Sequence, residues 1–166
     1  MLVERPYLIL FETHPDSDEG PVDEVEICAE RLENEEKFMS GLYDDATDLP
    51  VKAASGNDTI GFGCNVQAGW SLWLARGVLR LQIQEVQMPL ANYTWYQGLN
   101  AARRSVMLDV GFNDGVGGLL QFHQMIDAIV AQNWPEAAAQ CHVKNPKLAA
   151  RYEALAQILL TGVVGG

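Results

Sequence analysis

The sequence predicts an α+β, mainly α, fold, and three observations support this. Apolar residues recur at helical spacing through most of the 166 residues. The stretch 42–65 instead combines short apolar patches with many turn-forming residues, which is typical of a small antiparallel sheet with a long loop. A largely apolar run at 70–88 predicts a helix that is long enough to connect two lobes.

The first third of the chain predicts an arm followed by one amphipathic helix. Residues 1–20 contain a short apolar run with a strand-like pattern at 6–11. An acidic segment rich in turn formers follows this run. A helix is expected from Pro21 to about residue 40, with Gly41 as its stop. Its core face consists of Val25, Cys28, Ala29 and Leu32.

Helices account for the rest of the chain. The run at 70–88 ends at Pro89, and an aromatic linker at 93–96 follows. Further helices are expected near 99–113, 116–131, 134–141 and 146–161. Asn133 and Asn145, each shortly before a proline, fit as helix caps.

These elements divide the chain into four parts. They are an acidic N-terminal arm (1–20), a small α/β lobe (21–66), a connecting helix (67–92) and a helical lobe (93–166).

The formal charge of −11 excludes some classes of partner. Residues 1–50 carry 15 acidic and three basic side chains, which leaves seven acidic and eight basic ones for the rest. A nucleic-acid partner is disfavoured because the only adjacent basic pair is Arg103-Arg104. Two interpretations of this pair stay open, namely contact with a sugar and an ion pair within the lobe. Membrane insertion and a secretory signal are not expected, since no apolar run is long enough and Glu4 interrupts the start.

The three cysteines, Cys28, Cys64 and Cys141, are expected to be free thiols in a reducing compartment. Their number is odd, and their spacing is not that of a zinc site or a redox motif. The three histidines are dispersed, so that no Ser-His-Asp or Cys-His arrangement is apparent.

Residues 99–138 carry a resemblance to a known family. The segments LNAARRSVMLDVGFNDG, GGLLQFHQMI and NWPEAA follow one another at a spacing similar to that of the tailed-phage lysozymes, the endolysin N-acetylmuramidases of glycoside hydrolase family 24. The ending Leu160-Thr161-Gly162 is also similar, and a weaker similarity covers 36–65. The resemblance implies a two-lobed phage-lysozyme-like fold, in which a small antiparallel sheet lobe is joined by a long helix to a helical lobe.

The same resemblance implies the site residues. The family has a glutamate, a tyrosine, an aspartate and a Thr-Ile-Gly-x-Gly turn in this order, and the tyrosine falls on Tyr43. The catalytic residues fall on Glu36, Asp45 and Thr59. The substrate-binding residues, in a cleft between the lobes, fall on Gly63, Asn65 and Phe112.

Three features differ from the family pattern. Cys64 occupies a position where the family commonly has histidine, so that an ion pair of the small lobe is expected to be absent. The loop 46–58 is longer than is typical, and residues 1–30 have no counterpart.

The candidate residues fit glycoside hydrolysis, which needs one protonated carboxyl as acid and one ionised carboxylate. Glu36, beside Phe38-Met39, would be partly desolvated, which favours its protonated form. Asp45 lies in a polar turn and would stay ionised, with Asp44 as the alternative. The resemblance implies inversion, with carboxyls roughly 6.5–9.5 Å apart and Thr59 bonded to the water between them.

Taken alone, these acids carry little information among 15, and threonine is an ordinary strand former. With the resemblance, the expectation is a muramidase that cleaves the β-1,4 bond between N-acetylmuramic acid and N-acetylglucosamine in peptidoglycan, with no metal or organic cofactor. The alternative is a non-catalytic lysozyme-like protein that binds the cell wall or forms part of a virion. The protein is expected in the host cytoplasm before delivery or virion assembly, and arm 1–20 is expected to dock onto a holin or virion partner or to cover the cleft.

Overall fold

The computed structural model describes residues 23–35, 38, 43–44, 49–50, 59–60, 64–65, 69–143 and 148–164, with backbone only at 43–44, 49–50, 59–60 and 64–65. In this part of the chain, seven helices follow one another. They are α1 (Glu24–Glu35), α2 (Leu72–Leu90), α3 (Thr94–Gln97), α4 (Ala101–Leu119), α5 (His123–Val130), α6 (Trp134–Gln140) and α7 (Ala149–Thr161).

The predicted α+β fold class, with a small antiparallel sheet lobe, is wrong for the described residues, which form a helical assembly. The described residues of the stretch 42–65 form two separate antiparallel pairs of two residues each. These are β1 (Tyr43–Asp44) with β2 (Leu49–Pro50), and β3 (Thr59–Ile60) with β4 (Cys64–Asn65). Pairs this short do not form an independently stable sheet, and Pro50 has no N–H to donate.

Helix α4 is the centre of the fold because it is buried on all sides over two turns. Its residues 105–111, SVMLDVG, are all buried, which is the pattern of a helix surrounded by other helices. Helices α1, α2 and α7 pack directly against it, and α6 packs on both α5 and α7.

Helix α1 is shorter than its predicted extent to residue 40. It ends at Glu35, and residue 38 is not helical. The core face ends with the fully buried Leu32, and the last turn carries no basic side chain to offset the negative end of the helix dipole. The predicted start at Pro21, the stop at Gly41 and the strand-like run at 6–11 lie outside the described residues.

Other helix boundaries differ from the prediction in ways that the packing explains. Pro89 lies inside the last turn of α2, which continues to the fully buried Leu90. The expected break after residue 113 is a non-helical residue, Gly115 (φ 72°, ψ 160°), within α4. The expected helix 116–131 is divided at 120–122, and the predicted aromatic linker contains the short helix α3.

Asparagine caps begin two of the helices. The Asn133 side chain accepts a hydrogen bond from the Glu136 N–H at 3.3 Å, which confirms the predicted cap of α6. Asn100 accepts one from the Arg103 N–H at 2.9 Å and also donates to the Gly162 carbonyl, which joins α4 to the end of α7. Asn145 lies outside the described residues.

Replacing Asn100 by alanine should lower the free energy of unfolding by about 1–2 kcal/mol, because both the cap and the bond to Gly162 are lost. Asn100→Ser keeps a cap oxygen but cannot reach Gly162, so its loss should be smaller. Urea unfolding measures both variants, and equal losses would show that the cap contributes nothing.

Gly111 allows α4 and α2 to approach closely. A Cβ there would lie 2.5 Å from Val86 Cγ1, on a stiff side chain of α2. Gly111→Ala should therefore destabilise the fold by about 1–3 kcal/mol. The control, Gly117→Ala, meets no atom within 4 Å and should be neutral or stabilising; similar melting temperatures for the two variants would contradict this account of the contact.

Candidate functional site

The predicted site residues fall on different parts of the structure. Glu36, Asp45 and Gly63 lie outside the described residues. Thr59 and Asn65 are directly opposite one another in the register of β3 and β4, so the backbone brings these two positions together. Phe112 lies on α4 and packs, partly buried, against the core. The roles of all six remain predictions.

The candidate acid directly follows a helix in the chain. Glu36 follows Glu35, the last residue of α1, by one peptide bond.

A buried ionic group, which we call the Asp109 cluster, joins α1 to α4 and α7. It consists of Arg31, Asp109 and Arg151. Arg31 donates from Nε to one carboxylate oxygen of Asp109 at 2.7 Å, and Arg151 Nε donates to the other at 3.0 Å. The Asp109 side chain has no solvent exposure, and the arginine side chains are 13% and 7% exposed.

Hydrogen bonds from neighbouring groups complete the Asp109 cluster. Arg31 also donates to the Ser105 carbonyl at 2.8 Å, and Asn113 donates to the Asp109 carboxylate at 3.2 Å. A carboxylate without water needs such a set of donors, since an unpaired buried charge is strongly unfavourable. The last turns of α1 are therefore held against α4 by directional bonds as well as by apolar packing.

This cluster was not among the predicted site residues, although the sequence contains a signal for it. Asp109 interrupts the apolar run VMLDVGF inside a predicted helix. An acidic residue on a buried helix face requires a basic partner, and the sequence does not reveal which arginine supplies it.

A second set of ion pairs ties α1 to α2 nearer the surface. Glu33 accepts hydrogen bonds from Arg76 at 2.7 Å and from Arg80 at 2.9 Å, and Arg80 also binds Glu26. The hydrogen bonds from Arg80 lower the pKa of Glu26, and those to Glu26 raise the pKa of Arg80. Because these side chains are partly exposed, each pair contributes only about 0–1 kcal/mol.

A groove of about 880 Å³ lies between α1 and α7 and extends to Glu35. Apolar side chains, including Ile27 and Ile158, line it together with polar ones, including Asn34 and Gln157. Mixed apolar and hydrogen-bonding walls suit a ligand with both kinds of surface. Phe112 does not line this groove.

The adjacent arginines Arg103 and Arg104 both make contacts within the protein. Arg103 stacks 3.6 Å from the ring centre of Trp134 and donates to the Leu159 carbonyl at 2.9 Å. Arg104 pairs with Glu24 at 3.2 Å. Of the two interpretations that the sequence leaves open, these contacts favour the internal one.

Two cysteines are buried near the Asp109 cluster. Burial, and then the negative charge of Asp109, raise the pKa of the Cys28 and Cys141 thiols to about 12. Thiols that stay protonated are poor nucleophiles, so neither residue is suited to covalent catalysis. The side chain of Cys64 lies outside the described part.

The chain matches no family model, and it matches no curated protein. Among the helices of the described residues, none is both long enough and apolar enough to span a bilayer. Within the described ranges, the His, Cys, Asp and Glu side chains form no group of three or more that could bind a metal ion.

A variant without the Cys64 thiol tests whether Cys28 and Cys141 are buried. In a Cys64→Ser variant, neither Cys28 nor Cys141 should react with a disulfide reagent at mildly alkaline pH, and both should react in concentrated guanidinium chloride. Colorimetric thiol counting measures this, and rapid reaction of the folded variant would contradict the raised pKa values.

Proposed function

We propose that this protein is a peptidoglycan muramidase that hydrolyses the β-1,4 bond between N-acetylmuramic acid and N-acetylglucosamine. The observation that carries the proposal is the groove between α1 and α7, which extends to Glu35, one peptide bond before the candidate acid. Together with the resemblance over residues 99–138, this adjacency along the chain supports Glu36 as the candidate acid.

The proposed chemistry needs a carboxyl pair in different environments. Glu36 acts as the acid that protonates the leaving oxygen, and Asp45 acts as the base that activates water. Thr59 holds that water, and Gly63, Asn65 and Phe112 are the proposed sugar-binding positions, of which Phe112 lies outside the groove between α1 and α7. The register of Thr59 opposite Asn65 supports this set, because it brings a proposed catalytic and a proposed binding position together.

The substrate, the place of action and the protein partner are part of the same proposal. The substrate partner is peptidoglycan, and the protein acts after leaving the host cytoplasm for the cell wall or as part of a virion. The acidic arm, residues 1–20, docks onto a holin or virion partner. The chemistry uses only side chains and water.

Release of reducing ends from purified peptidoglycan tests the reaction. The wild type should release them, and Glu36→Gln should reduce the rate by roughly 10²–10⁴-fold, because the general acid is lost. Glu153→Gln is the matched control: it changes an exposed glutamate on α7 that does not line the groove, and it should keep full activity.

Asp45→Asn should lower the rate as Glu36→Gln does, whereas Asp44→Asn should not. The opposite result would transfer the role to Asp44. If the wild type releases no more reducing ends than Glu36→Gln, the hydrolase proposal fails. Retained binding of such an inactive protein to peptidoglycan would then indicate the non-catalytic wall-binding alternative.

A further inference from the structure

We propose that a small cleft between α3 and the end of α5 binds an uncharged sugar ring. We call it the tryptophan cleft, and its volume is about 260 Å³. Its lining includes Thr94, Trp95, Ile129, Val130, Gln132 and Trp134. Among the described residues, none lines both this cleft and the groove between α1 and α7, so the inference goes beyond the proposed function.

Two indole rings are held in place at the tryptophan cleft. The Arg103 guanidinium stacks on Trp134, 3.6 Å from the ring centre. Trp95 meets the ring of Tyr96 edge to face at a centroid distance of 6.1 Å, and it also contacts Tyr93 at 5.8 Å. Rings that are already fixed lose little side-chain entropy when a ligand binds. The C–H face of a pyranose ring suits such a surface, because the face of an indole carries partial negative charge.

The charge and the polar groups of the cleft define the class of ligand. No charged side chain is among the described residues that line it, and the Arg103 guanidinium on Trp134 would repel a second cation. The Thr94 hydroxyl and the Gln132 amide each donate and accept, and no hydrogen bond from the described residues engages either group. Aromatic walls with a few such polar groups are typical of a ligand site.

The size of the cleft limits the length of the ligand. Its volume of about 260 Å³ lies below the range of about 300–1,000 Å³ that is usual for drug-sized ligands. The cleft therefore suits one sugar ring rather than a chain of several.

Gln132 has a backbone conformation that favours glycine. Its φ is 54°, and it directly follows the C-cap of α5. Its N–H donates to the Ile129 carbonyl at 2.9 Å, and the Asn133 N–H donates to the Ala128 carbonyl at 2.8 Å, which is the hydrogen-bond pattern of a Schellman motif. Glycine usually occupies this position because a side chain is strained there. Here a long amide side chain occupies it and lines the cleft, and strained residues of this kind cluster at ligand sites.

The variant Gln132→Gly separates a role in binding from a role in stability. Relief of the strained backbone should raise the melting temperature by about 2–4 °C, whereas loss of the amide should weaken the binding of N-acetylglucosamine roughly fivefold. A titration followed by the NMR signals of the Trp95 and Trp134 indole N–H groups measures the affinity and locates the ligand. Wild-type affinity in a stabilised Gln132→Gly variant, or no shift of these signals in the wild type, would overturn the proposal.

A pair of tryptophan variants provides the matched control. Trp95→Ala should weaken binding roughly tenfold, as judged by the Trp134 signal, because one stacking surface is lost. Trp73→Ala removes a tryptophan of α2 that is 80% exposed and does not line the cleft, so it should bind as the wild type does. Equal effects of the two variants would contradict a site at this cleft. If Trp95→Ala does not fold, Gln132→Gly decides alone.

Two other probes test the class of ligand. At the same concentration, tetramethylammonium chloride and phenol should shift the two indole signals less than N-acetylglucosamine does. A larger shift with tetramethylammonium would indicate a cage for cations, and a larger shift with phenol would indicate a site for aromatic compounds; either result would overturn the assignment to a sugar. Binding at the cleft does not require hydrolysis, so Glu36→Gln should shift the indole signals as the wild type does, whether or not the wild type cleaves peptidoglycan.

Discussion

A carboxylate with no solvent exposure, Asp109, lies where three helices meet, and the described fold depends on how its charge is compensated. Taking a carboxylate out of water is strongly unfavourable unless hydrogen-bonded cations surround it. Arg31 of α1 and Arg151 of α7 supply them, one to each oxygen. Because the partners come from helices far apart in the chain, the same bonds that satisfy Asp109 also determine how α1 and α7 are oriented on α4. Apolar packing alone tolerates small shifts between helices, whereas these directional bonds do not.

Several acidic side chains in the first third of the chain form ion pairs within the fold. On α1, Glu24, Glu26 and Glu33 each bind an arginine of α2 or α4. The excess of negative charge in residues 1–50 therefore includes charges that hold α1 to the helical assembly. The partly exposed pairs add little individually, but together they hold α1 to α2 as well as to α4.

Structural and proposed functional features meet at the end of α1. The helix ends at Glu35, the groove extends to that residue, and the candidate acid comes next in the chain. A groove formed by two helices keeps its shape only if the helices keep their relative position. The Asp109 cluster joins both of them, α1 and α7, to the same side chain of α4, and it therefore holds together the two helices that form the groove.

Local patterns in the sequence determined the helices, the Asn133 cap and the break near Gly115, since each depends on neighbours along the chain. The sheet lobe was predicted wrongly because turn formers and glycines in 42–65 resemble a sheet locally, while sheet formation depends on long-range pairing. The resemblance supplied Glu36, Asp45 and Thr59 as candidates, and it could not supply Arg31 or Asp109. Only the tertiary structure decided that Asp109 pairs with Arg31 and Arg151, because residues 78 and 42 positions away become neighbours only when the helices pack.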